Sequence, residues 1–289
     1  MTVDVNPDFV TVTHAGSTIT IYLWGATVTS WKYYGVENLF LSSKAVLDGS
    51  KPIRGGIPLV FPQFGSGQDK VLPQHGFARV SKWKYLGLEV ENAAETTVRF
   101  GLTPFMIPEA QRALWPHDFH LIYTVSAFGS ALKTSLSVRN TGNTAFKFES
   151  LLHTYLRVQD IASVGIVGLT GFPYVDKVAN SARTEMEPRS IITIQGEVDR
   201  VYENVKNDYI SIQGTGVGGG SLTLHKSEFK DVVVWNPWVE KAKAMSDFDD
   251  SEFQQMVCVE VGNVTLMEVA AGKEWNGTQV LLATPVHSL

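Results

Sequence analysis

Leu132-Lys-Thr-Ser-Leu-Ser-Val-Arg139 reads with a period of two. Leu132, Leu136 and Val138 fall on one face of an extended chain; Lys133, Ser135, Ser137 and Arg139 fall on the other. A half-buried antiparallel strand produces this alternation, because successive side chains point to opposite faces of a sheet. Asn140-Thr-Gly-Asn follows at once and supplies a turn. The same pattern recurs on both sides. Ile19, Ile21 and Leu23 alternate with threonine and tyrosine, and Leu222 and Leu224 alternate with Ser221, Thr223 and His225. Polar clusters break the chain again at Glu91-Asn-Ala-Ala and Lys206-Asn-Asp. Many short strands joined by polar turns predict an all-β fold, a sandwich or barrel. The helical candidate, Pro108 to Leu114, has proline in its first turn and Glu109 beside it, and spans about two turns at most.

No repeat, low-complexity linker or compositional boundary divides the 289 residues, so residues 1–289 are expected to form a single domain. All-β domains of roughly 200–250 residues are common as one unit. Hydrophobic residues at 44% and charged residues at 18% provide ample core. A net charge of −5 argues against non-specific nucleic-acid binding and against a polybasic membrane contact. It leaves room for an anionic small molecule, which a few local arginines can hold. Cys258 is the single cysteine, so no intrachain disulfide forms and a reducing, cytoplasmic compartment is expected. Met1-Thr-Val-Asp-Val-Asn-Pro-Asp8 lacks the basic start and apolar core of a signal peptide, and no apolar run approaches about 18 residues. Asn263-Val-Thr265 and Asn276-Gly-Thr278 match the glycosylation acceptor pattern and read as chance matches in that context.

Three further patterns fail on context. Gly214-x-Gly216-x-x-Gly219 matches a dinucleotide fingerprint as a string, but Ser221-Leu-Thr-Leu-His alternates like a strand where a helix should open, so a hairpin connection is expected. Asp247 to Glu252 lacks the central glycine and ligand spacing of a calcium loop and reads as a solvated loop. His117 and His120 have no third or fourth ligand at suitable spacing, so no metal is expected there.

Ionisable groups in structured contexts mark four places. The first is Arg54-Gly-Gly-Ile-Pro-Leu-Val-Phe-Pro-Gln-Phe-Gly65, continued by Leu72-Pro-Gln-His-Gly-Phe-Ala-Arg79. Pro58 and Pro62 rule out a central strand or long helix, while Gly55, Gly56 and Gly76 permit backbone shapes that a side chain forbids. This is a shaped loop with an apolar plug at Ile57 to Phe61; it is either a rigid connection with two solvated arginines or a ligand-holding loop. The second is His153 inside Leu151-Leu-His-Thr-Tyr155, either a satisfied core histidine or a general acid. The third is Glu260 in Met256-Val-Cys-Val-Glu-Val261. It shares a strand face with Met256 and Cys258 and opposes Val257, Val259 and Val261. It is either an edge glutamate near the strand end or a base whose pKa burial has raised. The fourth is Glu197-Val-Asp199-Arg200, in a polar loop. Val232 to Trp238 adds Trp235 and Trp238 as candidate faces for a pyranose, with core packing the alternative for each.

The stretch from Arg54 to Arg79 closely resembles the hexose-6-phosphate mutarotases, or glucose-6-phosphate 1-epimerases, of the aldose 1-epimerase (galactose mutarotase-like) superfamily. The likeness continues in order through Leu114-Trp-Pro, Leu152-His-Thr-Tyr155, Val198-Asp-Arg-Val-Tyr202, Val234-Trp-Asn-Pro-Trp238, Gln254-Gln-Met-Val-Cys-Val-Glu260 and Gly272-Lys-Glu-Trp275. Each motif alone is weak; the ordered set is specific. The resemblance implies a large antiparallel β-sandwich with its site on a concave face. It implies His153 and Glu260 as the acid–base pair, and Arg54 and Arg79 at the phosphate of the substrate. It implies Gln74, His75 and Asp199 as further substrate contacts, with no cofactor and no metal.

The implied reaction exchanges α and β anomers of a hexose 6-phosphate through the open aldehyde. Glu260 takes the C1 hydroxyl proton, His153 protonates the ring oxygen, and the roles reverse after rotation about C1–C2. That assignment needs His153 protonated and Glu260 ionised at the start, and their mutual proximity favours both charges. Two arginines suit a phosphate, and holding the far end of the sugar orients C1. The alternatives are an epimerase of free aldoses, which needs no arginine clamp, and a non-catalytic carbohydrate-binding module, which needs neither acid nor base. A monomer is the expectation for a chain with no evident interface signal.

Overall fold

The computed structural model describes residues 1–67, 71–179, 184–216 and 218–284. Among these residues the strands form three sheets, and every pairing between named strands is antiparallel. The first is a meander of Thr2–Val5, Phe9–His14, Ser17–Tyr22, Thr27–Tyr33 and Val36–Glu37. The second runs in the order Gly165–Val167, Tyr209–Thr215, Gly220–Ser227, Glu274–Thr284, Ala131–Asn140, Phe119–Phe128, Thr96–Leu102, Lys84–Glu91. The third runs Thr184–Met186, Pro173–Asp176, Val198–Tyr202, Asp231–Asn236, Met256–Val269, Phe146–Leu152, Leu59–Val60, with Tyr155–Arg157 also paired to Met256–Val269.

The alternating residues do what their period requires. Ile19 and Ile21, Leu132, Leu136 and Val138, and Leu222 and Leu224 are all fully buried in one continuous core drawn from the three sheets. The turn clusters at Glu91 and Asn140 terminate strands. The glycine-rich segment lies between Tyr209–Thr215 and Gly220–Ser227, which pair directly, so the hairpin reading holds. The helix expected at Pro108 covers Glu109–Leu114 with Pro108 as its N-cap; a second helix, Trp238–Ala244, follows Pro237. None of the helices among the described residues is long and apolar enough to cross a membrane.

The third sheet positions the site because its two faces meet different neighbours. Val257, Val259 and Val261 join the core shared with the other sheets. Met256 and Cys258 point to the opposite face, into a separate cluster with Phe40, Tyr155, Val233, Trp235, Phe248 and Phe253. Helix Trp238–Ala244 and the segment around Phe248 cover part of that face. The uncovered part is the floor of a cavity.

Candidate active site

The loop from Arg54 to Arg79 is fitted to the sheet by close backbone approach. Gly56 has φ +65°, and a Cβ there would lie 2.1 Å from the Val28 carbonyl oxygen. Gly76 has φ +72°, and a Cβ there would lie 2.1 Å from the Phe61 carbonyl oxygen. No other residue fits either place. Within this loop Leu59–Val60 forms the short edge strand beside Phe146–Leu152, as the flanking prolines require. The loop then holds the neighbouring chain: the Pro58 carbonyl accepts from the His153 amide at 3.0 Å and the Gly56 carbonyl from the Tyr155 amide at 2.9 Å. Thr154 Oγ1 donates to Gln279 Oε1 of the second sheet at 3.0 Å. His153 is thus pinned from both sides.

Glu260 lies inside the 14-residue strand Met256–Val269, an inner strand of the sheet, paired to Val233 on one side. The edge, strand-end reading of this residue is therefore wrong. Tyr155 pairs with Cys258, so His153, two residues earlier on an antiparallel neighbour, comes beside Glu260. His153 Nδ1 stands 3.4 Å from Glu260 Oε1. Among the described residues His153 Nδ1 and Glu260 Oε2 are buried without a hydrogen-bond partner. His153 is not a satisfied core histidine.

A cavity of about 340 Å³ opens over this pair, and all seven residues singled out in the sequence line it: Arg54, Gln74, His75, Arg79, His153, Asp199 and Glu260. Trp235 lines it as well, edge-on to His153 with ring centres 6.0 Å apart. Trp238 packs on Phe253 instead, so of the two candidate platforms Trp235 is the one at the site. Asp199 reaches the cavity from Val198–Tyr202, where it pairs with Trp235; it belongs to a strand rather than to a loop.

His75 has a left-handed backbone, φ +65°, and its Nδ1 accepts the Gly65 amide at 3.2 Å. Burial, then Arg79, Lys177 and Arg54, keep its pKa well below the ordinary histidine value. The neutral ring therefore carries its proton on Nε2 and can donate it.

The two arginines differ. Arg79 is half-buried, donates from Nη2 to the Gln74 carbonyl at 2.8 Å, and has its pKa pushed down to about 10 by desolvation, so it remains cationic at neutral pH. Arg54 already has an anionic partner: its Nε lies 3.2 Å from Asp247 Oδ1 and its Nη1 donates to the Tyr155 hydroxyl at 3.2 Å. Asp247 is thus turned inward, which corrects the reading of Asp247 to Glu252 as a solvated loop. Glu252 is engaged too, accepting from Ser42 Oγ at 2.8 Å and the Ser43 amide at 2.9 Å.

The electrostatics of the pair also depart from expectation. Burial, then Asp199, raise the Glu260 pKa well above the ordinary carboxyl value. Burial, then His75, Arg79 and Arg54, lower that of His153. Mutual attraction loses to desolvation, because both groups lie under apolar and aromatic side chains. Both shifts favour the uncharged forms, imidazole and carboxyl, over a charged pair.

Lys177, Lys241, Phe64 and Met245 also line the cavity and were not identified from the sequence. Lys177 Nζ sits 4.2 Å from the centre of the Phe64 ring, and its amide bonds the Asp199 carbonyl at 2.8 Å. Phe64 was visible inside the opening stretch, but a lone lysine after a short strand carries no local signal. Of metal-ligating side chains, His153, Cys258 and Glu260 converge among the described residues. His117 packs on Trp115 and Phe146, and His120 pairs with Arg139 on its strand.

The sequence profile of the aldose 1-epimerase family matches residues 8–282. A relative from Cenchrus ciliaris, provisionally named glucose-6-phosphate 1-epimerase, is 38% identical over 92% of this chain and 81% of its own length. One from Escherichia coli K12 with the same provisional name is 33% identical over 88% of this chain and 82% of its own. The crystal structure of YeaD from Salmonella typhimurium, provisionally described as a mutarotase, superimposes with a TM-score of 0.86 at 29% identity, covering 98% of this chain and 92% of that one. With the fold, the ordered motifs and the family profile in agreement over nearly its whole length, the chain belongs to the aldose 1-epimerase family.

Proposed function

We propose that this chain interconverts the α and β anomers of hexose 6-phosphates, chiefly glucose 6-phosphate, by acid–base opening and closure of the ring. The observation that carries this reading is the unpartnered His153–Glu260 pair at the floor of a cavity whose wall is cationic. Four basic side chains, Arg54, Arg79, Lys177 and Lys241, line that cavity against two carboxyls, Asp199 and Glu260. The names of the Cenchrus ciliaris and Escherichia coli relatives support the same substrate. We take the chain to act as one domain, as a monomer, in a reducing cytoplasmic compartment.

His153 and Glu260 hold one proton between them, whichever of them carries it. In the empty site it rests on Glu260. A C1 hydroxyl donating to Glu260 favours the carboxylate, and a phosphate beside Arg79 offsets the arginine field that, after burial and His75, lowers the His153 pKa. Substrate itself thereby moves the proton to His153, leaving Glu260 as base toward the C1 hydroxyl and His153 as acid toward the ring oxygen. After rotation about C1–C2 the ring closes on the other face and the transfers reverse. Such proton transfers contribute roughly 10²- to 10⁴-fold each. Arg79 and Lys177 take the phosphate, with Arg54 sharing itself between phosphate and Asp247. His75 Nε2, Gln74 and Asp199 hold sugar hydroxyls, and Trp235 covers the ring.

The test is magnetisation-exchange NMR of α-glucose 6-phosphate beside α-glucose, with His153→Ala as control. Exchange accelerated for the phosphosugar and lost in the variant is the expected result. Equal acceleration of both sugars would overturn the phosphate assignment in favour of a free-aldose epimerase. No acceleration of either would leave a sugar-binding module and remove the acid–base roles.

A further inference from the structure

We infer that His153 Nδ1, Cys258 Sγ and the Glu260 carboxylate form a binding site for one thiophilic divalent cation of the Zn²⁺ class, placed so that metal and sugar exclude each other. Imidazole, thiolate and carboxylate are the donors such an ion takes. The register brings them together: Cys258 and Glu260 are two apart on one face of their strand, and His153 stands beside Glu260 because Tyr155 pairs with Cys258. The three donor atoms lie within 4.8 Å of one another.

The distances suit a tetrahedral ion. Two donors each about 2.1 Å from a metal, at the tetrahedral angle, are about 3.4 Å apart. His153 Nδ1 and Glu260 Oε1 are 3.4 Å apart. A thiolate at about 2.3 Å from the same ion sits about 3.6 Å from the other donors, so a Cys258 Sγ at the 4.8 Å bound closes by no more than about 1 Å, within reach of a side-chain rotation. His153 Nδ1 and Glu260 Oε2 have no hydrogen bond among the described residues to give up. His153 and Glu260 line the cavity, from which a fourth ligand would come.

Charge balance favours the exchange. Binding takes the Cys258 thiol and the Glu260 carboxyl as their anions, so the entering dication displaces the thiol proton, and any proton on the carboxyl, to solvent. Thiolate and carboxylate then offset the two charges of the ion, so no uncompensated charge is added beside Arg79 and Lys177. A single buried cation without those two anions would be strongly disfavoured.

The site is tested by calorimetric titration of the metal-free protein with Zn²⁺ and by the ultraviolet thiolate-to-metal absorption that Cd²⁺ gives in its place. One Zn²⁺ per chain, a Cd²⁺–thiolate band, and binding weakened at least about tenfold in both Cys258→Ala and Cys258→Ser are expected, since even outer partners of a metal are worth about 10- to 100-fold. Wild-type protein without the band, or Zn²⁺ affinity unchanged in both folded variants, would overturn the site. Saturating glucose 6-phosphate should suppress the cadmium band once the sugar's own metal binding is subtracted; a band unmoved by sugar would overturn the mutual exclusion. The absorption and calorimetry are read without turnover, so they decide the metal site independently of the anomerisation assay.

Discussion

Glu260→Gln removes one ionisable oxygen pair from the cavity floor and nearly preserves side-chain volume, so its two effects can be worked separately. Loss of the base should lower kcat by about 10²- to 10⁴-fold, or about 3 to 5 kcal/mol of barrier. Stability should move the other way. Glu260 has its pKa raised by burial from an ordinary value of 4.5. A carboxyl raised in the folded state contributes full stability below its unfolded pKa and loses it as pH rises toward the folded pKa. Within that window the wild type loses about 1.4 kcal/mol per pH unit relative to the non-titrating variant. For a chain of this size that is about 3 °C of Tm per pH unit. His153 drops out above pH 6.5, its ordinary value, because its folded pKa is lower and it is neutral in both states there. Thermal unfolding of both proteins from pH 6.5 upward, beside NMR exchange rates, reads both effects. The variant should be slow and the more stable of the two, by a margin that widens with pH until the folded pKa is reached. Near wild-type turnover would remove Glu260 from the chemistry. A Tm gap that stays flat from pH 6.5 upward would falsify the claim that the folded site holds Glu260 protonated.

Arg79→Ala should raise KM for the phosphosugar about 10- to 150-fold, from about 1.5–3 kcal/mol of lost charged hydrogen bonding, and leave free glucose little changed; equal effects on both sugars would take Arg79 out of the phosphate contact. Lys177→Gln should raise the same KM by no more than about 5-fold, because Lys177 is exposed and solvent screens it; an effect matching that of Arg79→Ala would contradict that screening argument. Gly56→Ala should cost roughly 3 kcal/mol or more in urea unfolding, since its Cβ meets the Val28 oxygen at 2.1 Å on a left-handed backbone; a change under about 1 kcal/mol would mean that the loop relaxes freely.

The all-β fold was legible because burial on one face and exposure on the other leave a period of two, as at Leu132 to Arg139. The two faces of Met256–Val269 were legible for the same reason: the valines at 257, 259 and 261 enter one cluster and Met256 and Cys258 the other. The placement of Glu260 on an inner strand was not, because the strand's partners lie far off in sequence: Val233 is 27 positions before Glu260, and Tyr155 is 103 before its partner Cys258. The seven site residues came from the ordered motifs, and the glycines around them made sense as close-approach positions. Asp247 escaped because nothing local marks which acidic residue of a cluster turns inward; its partner Arg54 is 193 residues away. The charge states escaped for a related reason. The spatial nearness implied for His153 and Glu260 suggested attraction between them, whereas the outcome depends on how much water the aromatic surroundings exclude.

Under the proposed roles, that exclusion accounts for the burial of the pair, with Glu260 on an inner strand and His153 in the link between Phe146–Leu152 and Tyr155–Arg157. A solvated histidine and glutamate would titrate separately, near their ordinary values of about 6.5 and 4.3, with the glutamate ionised and the histidine only partly charged at neutral pH. Buried together, they keep one proton in common, and a modest field decides which of them holds it. Burial first, then His75, Arg79 and Arg54, bias it away from His153, and in the proposed binding mode a phosphate dianion offsets the arginine part of that bias. Under that proposal the phosphate end of the substrate acts on the reaction through the proton as well as through orientation. Arginines that hold the anion would then also tune the acid, coupling binding to catalysis by charge across a few ångströms of cavity rather than by movement of the fold.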